Sequence, residues 1–246
     1  MPDRLFDDPE LAALYDLFSP CDGRADFAFY LPLVMSAKAV LDVGCGTGAL
    51  LHRARIEGHK GRLCGLDPAR GMIEQARRRS DVEWVLGDLA SVAWEGEFDL
   101  IVMSGHAFQV FVGDDELRVA LAAIRSALTE GGRFVFETRN PLARAWEHWG
   151  REYSGEVTDG AGAVVRVVVE EPVEGDVVRS SHTFTSSGWA GSRVSQSVLR
   201  FLDLDSLASF LAGAGLEIVE QFGDWDRGPL SDFASEIITV ARRAGD

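Results

Sequence analysis

The apolar positions change their period along the chain. In PELAALYDLF and ADFAFYLPLV, within residues 1–37, they recur at helical spacing, and Asp22-Gly23 breaks the two segments apart. From Ala39 to Pro141 short apolar runs take over: AVLDVG, RLCGLD, VEWVLGD, FDLIVMS and GRFVFET. Runs with so little polar alternation are strands covered on both faces, as in a parallel sheet. The stretches between them, ALLHRARIEG, ARGMIEQARRRS and DDELRVALAAIRSALTEGG, read as crossover helices, the last stopped by Gly131 and Gly132. Strand–helix alternation of this kind predicts a doubly wound, Rossmann-like α/β fold.

Residues 151–201 break the rhythm. AVVRVVVEE, DVVRSSHTF and SRVSQSVLRF are strand-like, with Pro172, Glu174-Gly175 and Ser187-Gly188 as turn formers. They predict an antiparallel excursion over one edge or end of the main sheet. DLDSLASFLAGAG then returns to helix, with Asp203 or Asp205 as N-cap, and LEIVEQF and SEIITVAR close the sheet with one antiparallel strand. The expected organisation is a helical lid (1–37), a Rossmann-like core (38–150), an antiparallel β insert covering the substrate (151–201) and a C-terminal return to the core (202–246). The main sheet is then mostly parallel and seven-stranded.

Composition narrows the function. The chain has 24 Lys plus Arg against 39 Asp plus Glu, a net charge of −15, which argues against a nucleic-acid partner. Arg77, Arg78 and Arg79 read as a solvated helix face. Cys21, Cys45 and Cys64 fit neither a disulfide framework nor a zinc site, and no metal site is visible. No apolar stretch approaches a membrane span, and the start shows no secretory leader, so the expected compartment is the cytoplasm.

The strongest chemical signal is VLDVGCGTG, residues 40–48, between a strand and a helix. Gly44, Gly46 and Gly48 let the backbone turn sharply and approach a ligand, and the next helix offers its N-terminus. The spacing is GxGxG, not the GxGxxG of dinucleotide sites. Asp67 ends the second strand, placed to accept hydrogen bonds from ribose hydroxyls. Asp88 and Leu89 follow the third strand, where an acid can accept from an adenine amino group.

In this order VLDVGCGTG, GLDPARGMIEQAR, VLGDL, FDLIVMSGHAFQVF and ALTEGGRFVFET resemble the class I S-adenosylmethionine-dependent methyltransferase family, over Ala39 to Pro141. The resemblance implies that S-adenosyl-L-methionine lies with its methionine portion over Gly44, its ribose on Asp67 and its adenine between Asp88 and Leu89. Met103 would lie near the sulfonium and Met72 against the adenine, with Pro68 beside the ribose acid. The flanks look like a bacterial subgroup acting on small molecules, including enzymes that methylate amino sugars, in which a YD pair (here Tyr15-Asp16) brings its tyrosine to the cofactor. The implied reaction moves a methyl group to a hydroxyl or amine of a small molecule, on a monomer or homodimer.

Methyl transfer from a sulfonium is an in-line displacement, in which alignment contributes ~7–11 kcal/mol at best. A hydroxyl acceptor also needs a base. His106, after the fourth strand, and Tyr15 are the catalytic candidates, with Tyr30 and Glu137 behind them. His106 reads equally as a loop histidine, and Glu137 and Arg139 as structural ion-pair partners; His182 of the insert lines a substrate pocket or, as such a histidine more often does, alternates outward. Trp146, Trp149, Trp189 and Trp225 supply an acceptor pocket or ordinary packing. The rival readings are an S-adenosylmethionine-binding module without turnover and a nicotinamide-dependent oxidoreductase.

Overall fold

Apolar strands need cover on both faces, and the layers supply it. The computed structural model describes residues 2–152, 154–160, 163–170, 173–174 and 176–245. Among these, helices α1 (Arg4–Asp7), α2 (Pro9–Phe18) and α3 (Ala25–Ser36) precede β1 (Ala39–Val43) and α4 (Ala49–Ile56). Then come β2 (Arg62–Asp67), α5 (Arg70–Ala76), β3 (Glu83–Leu86), β4 (Phe98–Met103), α6 (Asp114–Ala127) and β5 (Leu128–Arg139). The excursion holds α7 (Trp146–Glu152), β6 (Gly155–Thr158), β7 (Val164–Glu170), β8 (Val173–Glu174), β9 (Val177–Ser186) and β10 (Arg193–Arg200). The chain ends in α8 (Leu204–Gly213), β11 (Leu216–Phe222) and β12 (Glu236–Arg243).

Among the described residues the main sheet has seven strands in the order β11-β12-β5-β4-β1-β2-β3. From β5 to β3 every pairing is parallel, while β12 runs antiparallel to both β5 and β11. On one face Phe27, Phe29 and Tyr30 of α3 and Leu50 and Leu51 of α4 pack on Val40, Leu100, Val102, Val135 and Ile238. On the other, Leu117, Leu121 and Ile124 of α6 and Leu207 and Leu211 of α8 pack on Leu41, Ile101, Phe134 and Phe136. The expected fold class holds.

The excursion forms a second, antiparallel sheet in the order β10-β9-β7-β6, with β8 also paired to β9. Helix α2 lies between the two layers. Asp8 caps it by accepting from the Glu10 and Leu11 amides (3.0 and 3.4 Å), and Pro9 occupies its first turn. Its Leu11 and Leu14 pack on Val165, Val167, Val169 and Phe184, while Ala12 and Tyr15 turn to Ala69 and Met72 just past the tip of β2. Gln109, in the helical turn 107–110 after β4, donates to the Arg200 carbonyl at 3.0 Å. The second sheet is thereby fastened at the carboxyl end of the parallel strands.

Three local expectations are corrected. Helix α6 stops at Ala127, and Gly131 and Gly132 lie inside β5, where they take up a register shift against Phe98 and Leu100. A Cβ on Gly132 would stand 2.9 Å from the Phe98 carbonyl oxygen, so glycine serves close strand packing there. The antiparallel strand is β12, one in from the edge, with β11 outermost. Glu174 pairs in β8 rather than turning, while Pro172 and Gly175 lie outside the described residues. Of the two N-cap candidates for α8, Asp203 accepts from the Ser206 amide at 2.7 Å. Among the described residues, no helix is long and apolar enough to cross a membrane.

Candidate functional site

In a parallel sheet all carboxyl tips emerge on one edge, so the loops after β1, β2, β3 and β4 are neighbours. The glycine loop and the two acids expected to share a ligand therefore sit side by side. The three glycines differ in what surrounds them. Gly44, Gly46 and Gly48 all adopt positive φ (71°, 55° and 78°), where a side chain is strained. A Cβ on Gly44 would meet the Ala107 methyl at 2.7 Å, and one on Gly48 the Trp84 ring at 2.4 Å. A Cβ on Gly46 would meet only the Met72 sulfur, at 3.9 Å. Gly48 makes room for Trp84, which also covers Gly65, whereas Gly46 leaves an open corner toward Met72.

Asp67 forms the second wall of that corner. Its carboxylate accepts from the Gly46 amide at 2.9 Å and the Ala69 amide at 2.8 Å, which fixes the loop geometry around the tip. Burial raises its pKa, and the two amide bonds oppose that rise. Met72 is buried beside Ala69, Ala12 and Tyr15. Asp16, next to Tyr15, accepts from the Thr47 hydroxyl at 2.7 Å and ties α2 to the glycine loop. Leu89 is buried and Pro68 exposed, while Asp88 is exposed and caps its own turn through the Ala90 and Ser91 amides. Met103, expected near the sulfonium, has its side chain buried in the core beneath α6, with Phe108 and Phe136.

Beyond the corner lies a group of buried polar side chains. His106 adopts a left-handed backbone (φ 62°), uncommon for a residue with a Cβ. Its amide donates to Glu137 Oε1 at 2.6 Å, and the second oxygen of Glu137 accepts from the Tyr30 hydroxyl. His106 Nε2 lies 2.9 Å from Glu236 Oε2. Arg24 forks onto both oxygens of Asp26, and the guanidinium of Arg139 bonds Gln109 Oε1 at 3.0 Å while lying over the Trp149 ring. Glu137 and Arg139 are therefore not each other's ion-pair partners: the acid holds a tyrosine and a strained loop. His182 also departs from the expected outward position. It shares the inner face of the second sheet, stacked on Phe184, and its Nδ1 is enclosed without a hydrogen bond among the described residues. Of the tryptophans, Trp149 and Trp146 pack on Phe201, Trp225 on Phe29 and Tyr30, and Trp189 under Arg193.

Two members of this group were missed in the sequence. Asp42 lies within β1, fully buried, with Oδ1 lacking a partner among the described residues, and burial next to Asp67 pushes its pKa up to about 8. Its signal is an acid interrupting the apolar run AVLDV. Glu236, raised to about 7 by burial, opens β12. Because β12 is antiparallel, its first residue lies where the parallel strands end. Burial drives His106 the other way, down to about 3, so at neutral pH the carboxyl member of the pair is the one near its titration point.

An adenosyl group on a charged sulfur suits this setting. The open side of Gly46, the buried Met72 and the Asp67 carboxylate meet at one edge, with Leu89 buried after the next strand, and the enclosed Asp42 carboxyl has an oxygen unpaired among the described residues. The chain's relatives agree. A methyltransferase-domain family model matches residues 40–132. The aklanonic acid methyltransferase DauC of Streptomyces sp. (strain C5) is 34% identical over 154 residues, 55% of this chain and 67% of that protein. The chain spans about half the length of other curated relatives it matches. Among solved structures, the CcbJ methyltransferase of Streptomyces caelestis superposes with a TM-score of 0.74 at 23% identity, covering 96% of both chains. The S-adenosylmethionine-bound CalS10 of Micromonospora echinaspora, an amino pentose methyltransferase, gives 0.67 at 25% identity, covering 94% of this chain and 97% of that one. With a relative matched over two thirds of its length and a fold shared almost end to end, this chain belongs to the class I S-adenosylmethionine-dependent methyltransferase family.

Proposed function

We propose that the protein transfers a methyl group from S-adenosyl-L-methionine to a hydroxyl or amine of a small molecule. The observation that carries this reading is the corner at one sheet edge, where Gly46 stands open between Asp67 and Met72. When bound, the cofactor supplies a methyl group on a positively charged sulfur, already activated toward displacement. The chain's own residues bind, orient and exclude water. Gly44 and Gly46 pass beneath the methionine portion, with Gly48 shaping the loop. Asp67 takes the ribose hydroxyls, with Pro68 beside it, and Met72, Asp88 and Leu89 frame the adenine. Tyr15 reaches in from α2, and Met103 acts from beneath, through its main chain at the strand tip. Helices α1 and α2 and the second sheet form the cover that keeps water from the reacting atoms.

One relative is named for an amino pentose and another for aklanonic acid, so amine and hydroxyl acceptors both stay within the proposal. With a net charge of −15, the acceptor is a small molecule rather than a nucleic acid. The setting is the cytoplasm, where three thiols stay reduced. The test is incubation with methyl-labelled cofactor and a panel of small amines, phenols, sugars and carboxylic acids. Label in any acceptor, abolished by excess S-adenosylhomocysteine, is the expected result. Cofactor binding with no transfer across the panel would instead favour the silent binding module.

A further inference from the structure

His106 is held at its amide and at its ring, and the manner of holding assigns its ring nitrogens. Its amide is fixed by Glu137, which Tyr30 in turn fixes from α3. A fully buried acid and a buried tyrosine thus maintain a left-handed turn that is uncommon for a residue with a Cβ. The turn brings Nε2 within 2.9 Å of Glu236 Oε2. The other nitrogen, Nδ1, makes no hydrogen bond among the described residues. It is also not among the fully enclosed unpaired polar atoms, so it keeps some accessible surface. The side chain as a whole keeps 18% of its surface exposed. One nitrogen is engaged by a carboxyl group inside, and the other faces out at the carboxyl edge of the sheet.

We propose that His106 and Glu236 form a proton-accepting pair in which Glu236, a positioning residue, holds the Nε2–H tautomer and leaves the Nδ1 lone pair for the acceptor's proton. This rests on the methyltransferase reading and adds the residue that orients its base. An imidazole alone at this depth is a poor base, because burial opposes its charge. A carboxylate at hydrogen-bond distance from Nε2 offsets that by stabilising the imidazolium. In the step the acceptor's X–H bond breaks and Nδ1–H forms. The electron pair stays on X, ready for the methyl group, and the imidazolium afterwards returns its proton to water through its exposed side. The charged and titratable groups around the ring are Arg24 and Asp26 from the start of α3, Glu137 and Arg139 from β5, and Glu236 from β12.

The test needs no acceptor. Protein labelled with nitrogen-15 at histidine is examined by long-range proton–nitrogen correlation from pH 5 to 9, free and saturated with S-adenosylhomocysteine. His106→Gln assigns the His106 signal. The pair predicts a single Nε2–H tautomer with Nδ1 bare at pH 8. It also predicts that Glu236→Leu, which removes the acceptor from Nε2–H, lets the Nδ1–H form appear at pH 8. An Nδ1–H tautomer in the unmodified protein overturns the pair, with no variant required. So does a folded Glu236→Leu protein in which the tautomer population at pH 8 is unchanged. The same samples keep this inference apart from the reading it rests on. If S-adenosylhomocysteine binds and the tautomer is wrong, only the pair fails; if it does not bind, the methyltransferase reading fails first.

Discussion

At the scale of single residues, the three glycines of the loop show how one motif carries two jobs. All were expected to clear space for a ligand, yet Gly44 and Gly48 clear space for Ala107 and Trp84. Only Gly46 faces the open corner. Gly46→Ala and Gly48→Ala therefore fail in different ways. Both incur the left-handed penalty of roughly 1–2 kcal/mol. Gly48→Ala adds a clash with an indole that is itself anchored by a hydrogen bond to the Arg79 carbonyl at 2.8 Å, so its melting temperature falls further. Gly46→Ala is the milder lesion for folding and the harsher one for S-adenosylhomocysteine binding, with at least a tenfold loss expected. Thermal melts and calorimetric titration of the two variants check this, and equal effects on both quantities would contradict the assignment. Asp42 makes the complementary point. It was invisible to a reading that counted apolar periodicity, because one acid does not disturb the period of AVLDV. Only the fold shows that its carboxyl is sealed in beside Asp67.

At the scale of elements, most of the architecture was legible because burial forces patterns. Strands β1 to β5 announce themselves as unalternating apolar runs, and β7, β9 and β10 as strand-like runs between turn formers. What was not legible depends on topology or on weak local signals. Strand β6 and helix α7 are short, and the role of Glu236 depends on β12 running antiparallel. The sequence could show an acid at the start of SEIITVAR, but not that this start meets the end of β4. Buried acids in β1 and β12 have a consequence for stability. Asp42 and Glu236 are raised to about 8 and about 7, above ordinary values of 3.8 and 4.5, so the folded chain keeps protons that the unfolded chain has already shed. Their contribution is complete below about pH 4 and is lost as pH climbs to about 8, at up to about 1.4 kcal/mol per pH unit for each group. His106, lowered to about 3, acts in the opposite sense below its ordinary 6.5. Comparing chains that share His106 separates the two. From pH 5 to 8, the Asp42→Asn, Glu236→Gln double variant should gain stability steadily over the unmodified protein in denaturant melts. A constant difference would mean that these acids are ionised in the fold.

At the scale of the whole molecule, the site is a product of direction. Parallel strands deliver the glycine loop and Asp67 to one edge, and an antiparallel strand delivers Glu236 to that edge from the opposite sense. Helix α2 then joins this edge to the second sheet, with Asp16 on Thr47 below and Leu11 and Leu14 on Val167 and Phe184 above. The glycines and acids at the strand tips were readable because a few residue types at those tips mark them. The buried polar group around His106 was less so, because its side chains come from α3, β5, β12 and the loop after β4, far apart in sequence. The most direct measurement is calorimetric titration of the protein with S-adenosylhomocysteine and, separately, with NAD. Saturable one-to-one binding of S-adenosylhomocysteine, weakened at least tenfold by Asp67→Ala, and no heat from NAD are predicted. Binding of NAD, or no binding of S-adenosylhomocysteine by the folded protein, would contradict the corner between Gly46, Asp67 and Met72 as an adenosyl sulfonium site.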